Sequence, residues 1–179
     1  PWGVRQTFPE AQTREEMPPL DERLAELRAW AAEEQTEQTW LGAPRNRMAK
    51  AVLASMMIGA DGLPVYQEDL YSHWATWWQT NTDPDLPSPN RADISRETRI
   101  DPALEWADGI YVDSVSGRHM GQEDHAPEHL AAADLPPTFS LQTGKPIVLG
   151  GMAHAEFLTW LRDYLRERDR LLMFNLFPP

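Results

Sequence analysis

The sequence predicts a mainly α fold: a small bundle of about four principal helices, long proline-rich loops, at most a short two-stranded ribbon, and extended arms at both ends. Three observations carry that expectation. Apolar residues recur at helical spacing in several stretches, 16 prolines among 179 residues interrupt the rest, and β-branched runs are short and few.

Residues 1–17 read as an extended arm. Trp2-Gly3-Val4-Arg5-Gln6-Thr7-Phe8-Pro9 shows no clean strand alternation. Pro1 in place of a methionine predicts a processed or truncated start. Residues 18–80 are expected to form a core of three helices. Pro18-Pro19 opens the first, about 20 to 38, in which Leu20, Leu24, Leu27 and Ala31 share a face and Asp21 and Glu22 suit the amino-terminal dipole. After Gly42-Ala43-Pro44, the run Met48, Val52, Met56 with Ala51, Leu53 and Met57 predicts a second, central helix ending at Gly59 and Gly62. Tyr66, Leu70, Trp74, Trp77 and Trp78 then follow i, i+4, i+8, i+11 spacing and predict a third helix packed on the second.

From 81 to 105 the texture changes. Pro84, Pro87, Pro89 and Pro102 stand among Asp, Ser, Asn and Arg with no apolar period, which predicts a linker or an arm lying on a partner. Residues 106–150 read as an irregular acidic segment with short strands at Ile110–Val115 and Pro146–Leu149. Gly150-Gly151 releases a last helix, within 151–173, whose stripe is Phe157, Leu161, Tyr164, Leu165 and Leu172. Residues 174–179 form a hydrophobic tail.

Composition narrows function by exclusion. No cysteine is present, so a disulfide scaffold, a thiol nucleophile and Cys-based metal sites are excluded. The net charge of −12 repels phosphate backbones and argues against nucleic acid as a partner, although it leaves room for an acidic inhibitor or nucleic-acid mimic. The acidity concentrates between Asp101 and Asp134, where eight acidic residues face Arg118 alone. The longest apolar stretch, Ala51 to Ala60, is too short to span a membrane. A cytoplasmic chain, or one in an organelle matrix such as the mitochondrial matrix after loss of a presequence, fits this composition better than a secreted one.

The densest polar cluster runs from His119 to His129. His119, His125 and His129, with Glu123 and Asp124, are the ligand types that zinc or non-haem iron accepts, which makes a small metal-dependent enzyme one expectation. The spacing matches no standard metal motif, and Pro127 interrupts it. Outside that cluster no cofactor or small-molecule substrate is indicated. Ser114, Ser116, His119 and Asp113 or Asp124 have the residue types of a hydrolase triad but no strand-to-helix elbow around the serine. Thr143-Gly144-Lys145-Pro146 lacks the upstream glycine and the hydroxyl of a phosphate loop, and reads as a turn before a strand. The arginines of the last helix alternate with acids and form an ordinary solvated face.

With every catalytic signature incomplete, the first expectation is a non-catalytic, mostly helical structural or accessory subunit of a larger multi-protein assembly. Its partners are other protein subunits. Trp2, Val4 and Phe8 on the front arm, Trp77 and Trp78 on the aromatic stripe, and Phe174, Leu176 and Phe177 on the tail are the residues expected to contact neighbours.

Overall fold

The computed structural model describes residues 3–34, 37–39, 42–70, 73–113 and 118–175, with the backbone alone at 3, 4, 118 and 119. These residues build a mixed fold with eight strands in three sheets, which overturns the mainly helical expectation. The strands are β1 (Gly3–Phe8), β2 (Tyr66–Leu70), β3 (Trp74–Gln79), β4 (Gly109–Val112), β5 (Glu123–Asp124), β6 (Thr138–Phe139), β7 (Pro146–Leu149) and β8 (Leu171–Phe174). The α-helices are α1 (Leu20–Ala32), α2 (Arg45–Ser55), α3 (Arg91–Ser95), α4 (Asp101–Leu104), α5 (Pro127–Ala132) and α6 (Gly150–Arg166).

The expected third helix is the hairpin β2–β3. A spacing of four is also a multiple of two, so Tyr66, Leu70, Trp74 and Trp78 line one face of a strand pair and Trp77 the other. The antiparallel register sets Tyr66 opposite Trp78 and Leu70 opposite Trp74. Tryptophan and threonine favour the pleated surface, and β3 takes the centre of the sheet. The expected arm supplies its other edge: β1 runs antiparallel to β3, with Val4 opposite Trp78 and Phe8 opposite Trp74. Alternation was hidden because an inward position of β1 is polar. Gln6 is buried, accepts from Trp78 Nε1 at 3.0 Å and donates to Glu26 at 2.7 Å. Buried Arg23 reaches from α1 to Thr76 Oγ1 at 2.7 Å and Glu68 at 2.8 Å, with its guanidinium 5.3 Å from the Tyr66 ring centre. Leu27, Ala49, Val52, Met56 and Trp78 form the apolar core between the sheet, α1 and α2.

The proline-rich stretch is no linker. Asn81, Thr82, Asp83, Leu86 and Asn90 are buried. Short polar side chains satisfy the backbone where an apolar period would otherwise have been needed: Asn81 Oδ1 accepts from Asp83 N at 2.9 Å, Asp83 Oδ1 from Asp85 N at 2.8 Å, and Asn90 Nδ2 donates to Leu86 O at 2.7 Å. Asn90 and Asp93 then close a capping box that starts α3. A π-helical turn over Arg96–Ile100 carries the chain into α4.

The two runs read as strands exist but do not pair with each other. β7 is central to a sheet ordered β5-β7-β6, whereas β4 pairs in parallel with β8. Between β4 and β8 lies α6, so the three form a strand–helix–strand crossover, the connection parallel strands require. Leu172, read as part of the last helix, belongs to β8. A turn with Asp169 at φ 55° stops the helix first.

Candidate functional site

The histidine cluster resolves into a structural node. Asp124 is fully buried, and His129 Nδ1 approaches its Oδ2 at 2.5 Å. The other ring nitrogen, Nε2, lies 3.0 Å from Ala54 O. Both ring partners are oxygens that accept, an arrangement that favours the doubly protonated ring. Burial opposes that charge, but Asp124 and the Ala54 carbonyl outweigh it and raise the His129 pKa. A ring bonded at both nitrogens has no lone pair to give a metal. His125 Nε2 faces Glu123 at 3.2 Å, and the His119 side chain lies outside the described residues. Among the described residues no group of three or more His, Asp or Glu is placed to hold a metal ion.

The other sequence candidates separate. Ser114 and Ser116 lie outside the described residues. The Thr143–Lys145 stretch is the β6–β7 hairpin turn, with Gly144 at φ 66° and Ser140 N donating to Lys145 O at 2.9 Å. Of the residues expected to meet partners, Trp2, Leu176 and Phe177 lie outside the described residues, as does the Val4 side chain. Phe8 and Trp78 are buried in this chain's own core, and Trp77 is half-buried beneath the Arg5 guanidinium. Phe174 ends β8 and is exposed.

The region that remains is built around the parallel ribbon. Gly109 pairs with Leu171 and Tyr111 with Met173, so these four share one face, while Ile110, Val112 and Leu172 share the other. The second face packs against Phe157, Leu161 and Leu165 of α6. The first is bare: Leu171 is 66 % exposed, Met173 61 % and Tyr111 58 %, with Trp106 just before the strand at 82 %. Gly109 is required here, because an added Cβ would run into the Leu171 carbonyl. Exposed Glu105, Asp108 and Asp113 lie along the same stretch.

Behind the ribbon, between the 91–107 helical segment, β4 and α6, lies a cavity of about 630 Å³. Ile100, Ala103, Phe157 and Leu161 give it apolar walls, and Arg91, Ser95, Arg99 and Asp113 are its polar lining. Arg91, Ser95 and Arg99 follow each other at intervals of four residues. Asn175 Nδ2 donates to Asp113 at 2.6 Å, which ties together the carboxyl ends of β4 and β8.

A separate carboxyl pair sits beneath α6. Glu156 accepts from Leu135 N at 2.5 Å and lies against Asp83; neither Glu156 Oε2 nor Asp83 Oδ2 has another partner. Burial chiefly, with Asp83 adding to it, lifts the Glu156 pKa to about 7.

Sequence reasoning missed Arg91, because whether an arginine is buried depends on tertiary packing. The only local signal was the four-residue spacing of Arg91, Ser95 and Arg99. No family model, curated protein or solved structure matches this chain. No helix among the described residues is long and apolar enough to cross a membrane.

Proposed function

We propose that this chain is a structural or accessory subunit of a larger protein assembly, docking through the bare face of the β4–β8 ribbon. The observation that carries the reading is that face itself. Parallel strands are ordinarily covered on both sides by helices, and a two-stranded sheet is marginal by itself. Here α6 covers one side and leaves Tyr111, Leu171 and Met173 uncovered on the other. Covering each such side chain gains about 1.5–3 kcal/mol, enough for three of them to anchor a specific contact.

The partner that fits is another subunit's apolar helix face with a basic rim. A helix is the element that completes a parallel layer, and exposed Glu105 and Asp113 beside this face favour Lys or Arg around it. The full chain, purified from its native host with a mild tag, is expected to retain a stoichiometric partner that the double variant Leu171→Asp, Met173→Asp releases. Both positions are exposed, so the fold of the variant should be unchanged by circular dichroism. Identical retention by both forms, or no partner with the wild-type chain, would overturn the reading.

A further inference from the structure

We infer that the cavity between the 91–107 segment, β4 and α6 is a binding site for a small organic carboxylate with an apolar body, its carboxylate held by Arg91 and Arg99. The first support is an arginine without a counter-ion. Arg91 is 5 % exposed, its Nη1 donates to Ser95 Oγ at 3.0 Å, and its Nε has no hydrogen-bond partner. Neither Arg91 nor Arg99 has a carboxylate partner among the described residues. Elsewhere in the chain the rule is different. Buried Arg23 has Glu68 at 2.8 Å, and half-exposed Arg47 has Glu97 at 2.5 Å. An unpaired buried guanidinium is costly, and the natural relief is an anion that takes its remaining donors.

The second support is mutual repulsion. Burial first, and then Arg99, pull the Arg91 pKa down to about 10, so two cations that line the same space repel each other. An anion seated there turns repulsion into two attractions, with the Ser95 hydroxyl as a further donor.

The third support is shape and lining. At about 630 Å³ the cavity falls in the range of small-molecule sites, roughly 300–1,000 Å³, and like them it has apolar walls with few polar groups. Ile100, Phe157 and Leu161 are suited to an aliphatic or aromatic body. Asp113 shares the lining and opposes a second negative charge, which favours a monoanionic carboxylate over a phosphate dianion.

Titration calorimetry of the full chain with phenylacetate tests this, with acetate, phenylacetamide and phenyl phosphate as comparisons. Saturable phenylacetate binding is expected, at least tenfold tighter than acetate, phenylacetamide or phenyl phosphate, together with a rise in thermal midpoint as ligand is added. Arg99→Gln, at an exposed position, should weaken binding at least fivefold and leave the unliganded midpoint unchanged. Because Arg91→Met could fail to fold, Ala103→Trp serves as the second variant, filling the cavity and abolishing binding. No saturable binding by the wild-type chain, tighter binding of phenyl phosphate, or wild-type affinity in both Arg99→Gln and Ala103→Trp would overturn the assignment. The experiment needs the isolated chain alone, so its outcome is independent of whether the ribbon docks a partner.

Discussion

Asp124 holds four donors at once: Ile58 N and Ala126 N on Oδ1, Asn81 Nδ2 and His129 Nδ1 on Oδ2. Replacing it by alanine leaves a buried imidazolium and three other donors unpaired. Asp124→Ala is therefore expected to lose about 3–5 kcal/mol in urea denaturation at pH 6. The charge on His129 also sets a pH dependence. Its pKa is raised in the folded state, so its stabilisation is complete below the ordinary histidine value of about 6.5 and is lost as pH rises through the folded value. Glu156 acts in the same direction, its contribution present below the ordinary 4.5 and lost as pH rises through about 7. His154 opposes them at the acid end. Burial lowers it to about 4, so its contribution is lost as pH falls from about 6.5 towards 4. Glu156→Gln copies the protonated carboxyl and keeps the Leu135 amide bond. Stability curves of this variant and the wild type should coincide near pH 5, with the variant more stable at pH 8. A wild-type curve flat between pH 5 and 8 would contradict the raised Glu156 pKa.

At the scale of elements, two positions decide whether the second half of the chain folds as described. Asn90 caps α3 and also ties down Pro84 and Leu86 through their carbonyls. Asn90→Ala should cost about 1–2 kcal/mol and speed amide exchange across 91–104 more than elsewhere. Gly109→Ala should cost about 1–3 kcal/mol and selectively deprotect the β4 amides, because the new methyl collides with the Leu171 carbonyl. Which elements were legible in the sequence follows from how each meets its surroundings. α2, α6 and β7 bury apolar stripes, and the sequence pattern locates all three, although α2 stops at Ser55, short of Gly59, and α6 at Arg166, short of 173. β3 was read as a helix because Leu70, Trp74 and Trp78 satisfy both periods, and nothing local chooses between them. β1 and the 81–104 segment were read as arms because what they bury is polar: Gln6 against Trp78, and Asn81, Asp83 and Asn90 against their own backbone. β8 was absorbed into the preceding helix, since Leu172 continues the helical stripe until the turn at Asp169.

Over the whole molecule, apolar surface is distributed unevenly. Trp78, Phe8 and the α1–α2 face enclose one core, and Ile100, Phe157, Leu161 and Leu165 form another, so Phe8 and Trp78, which the sequence offered as partner surface, are spent inside. Of the large apolar side chains left exposed, Trp106, Tyr111, Leu171 and Met173 lie together along the ribbon, whereas Leu70, Phe139 and Leu141 stand on other strands and turns. Of the residues expected to face partners, Phe174 is exposed but pairs with Val112, on the other face of the ribbon. Tyr111, Leu171 and Met173 became visible only through the parallel register, which no local pattern encodes. The cavity behind them was equally hidden, since its walls come from three separate parts of the chain. Docking through this face is tested most directly by sedimentation velocity of the chain purified with its native partner, compared with Leu171→Asp, Met173→Asp. The expected result is a boundary faster than the monomer for the wild type, the ribbon covered by that partner, and a monomer for the variant. A wild-type preparation that sediments as a monomer throughout, indistinguishable from the variant, would contradict it.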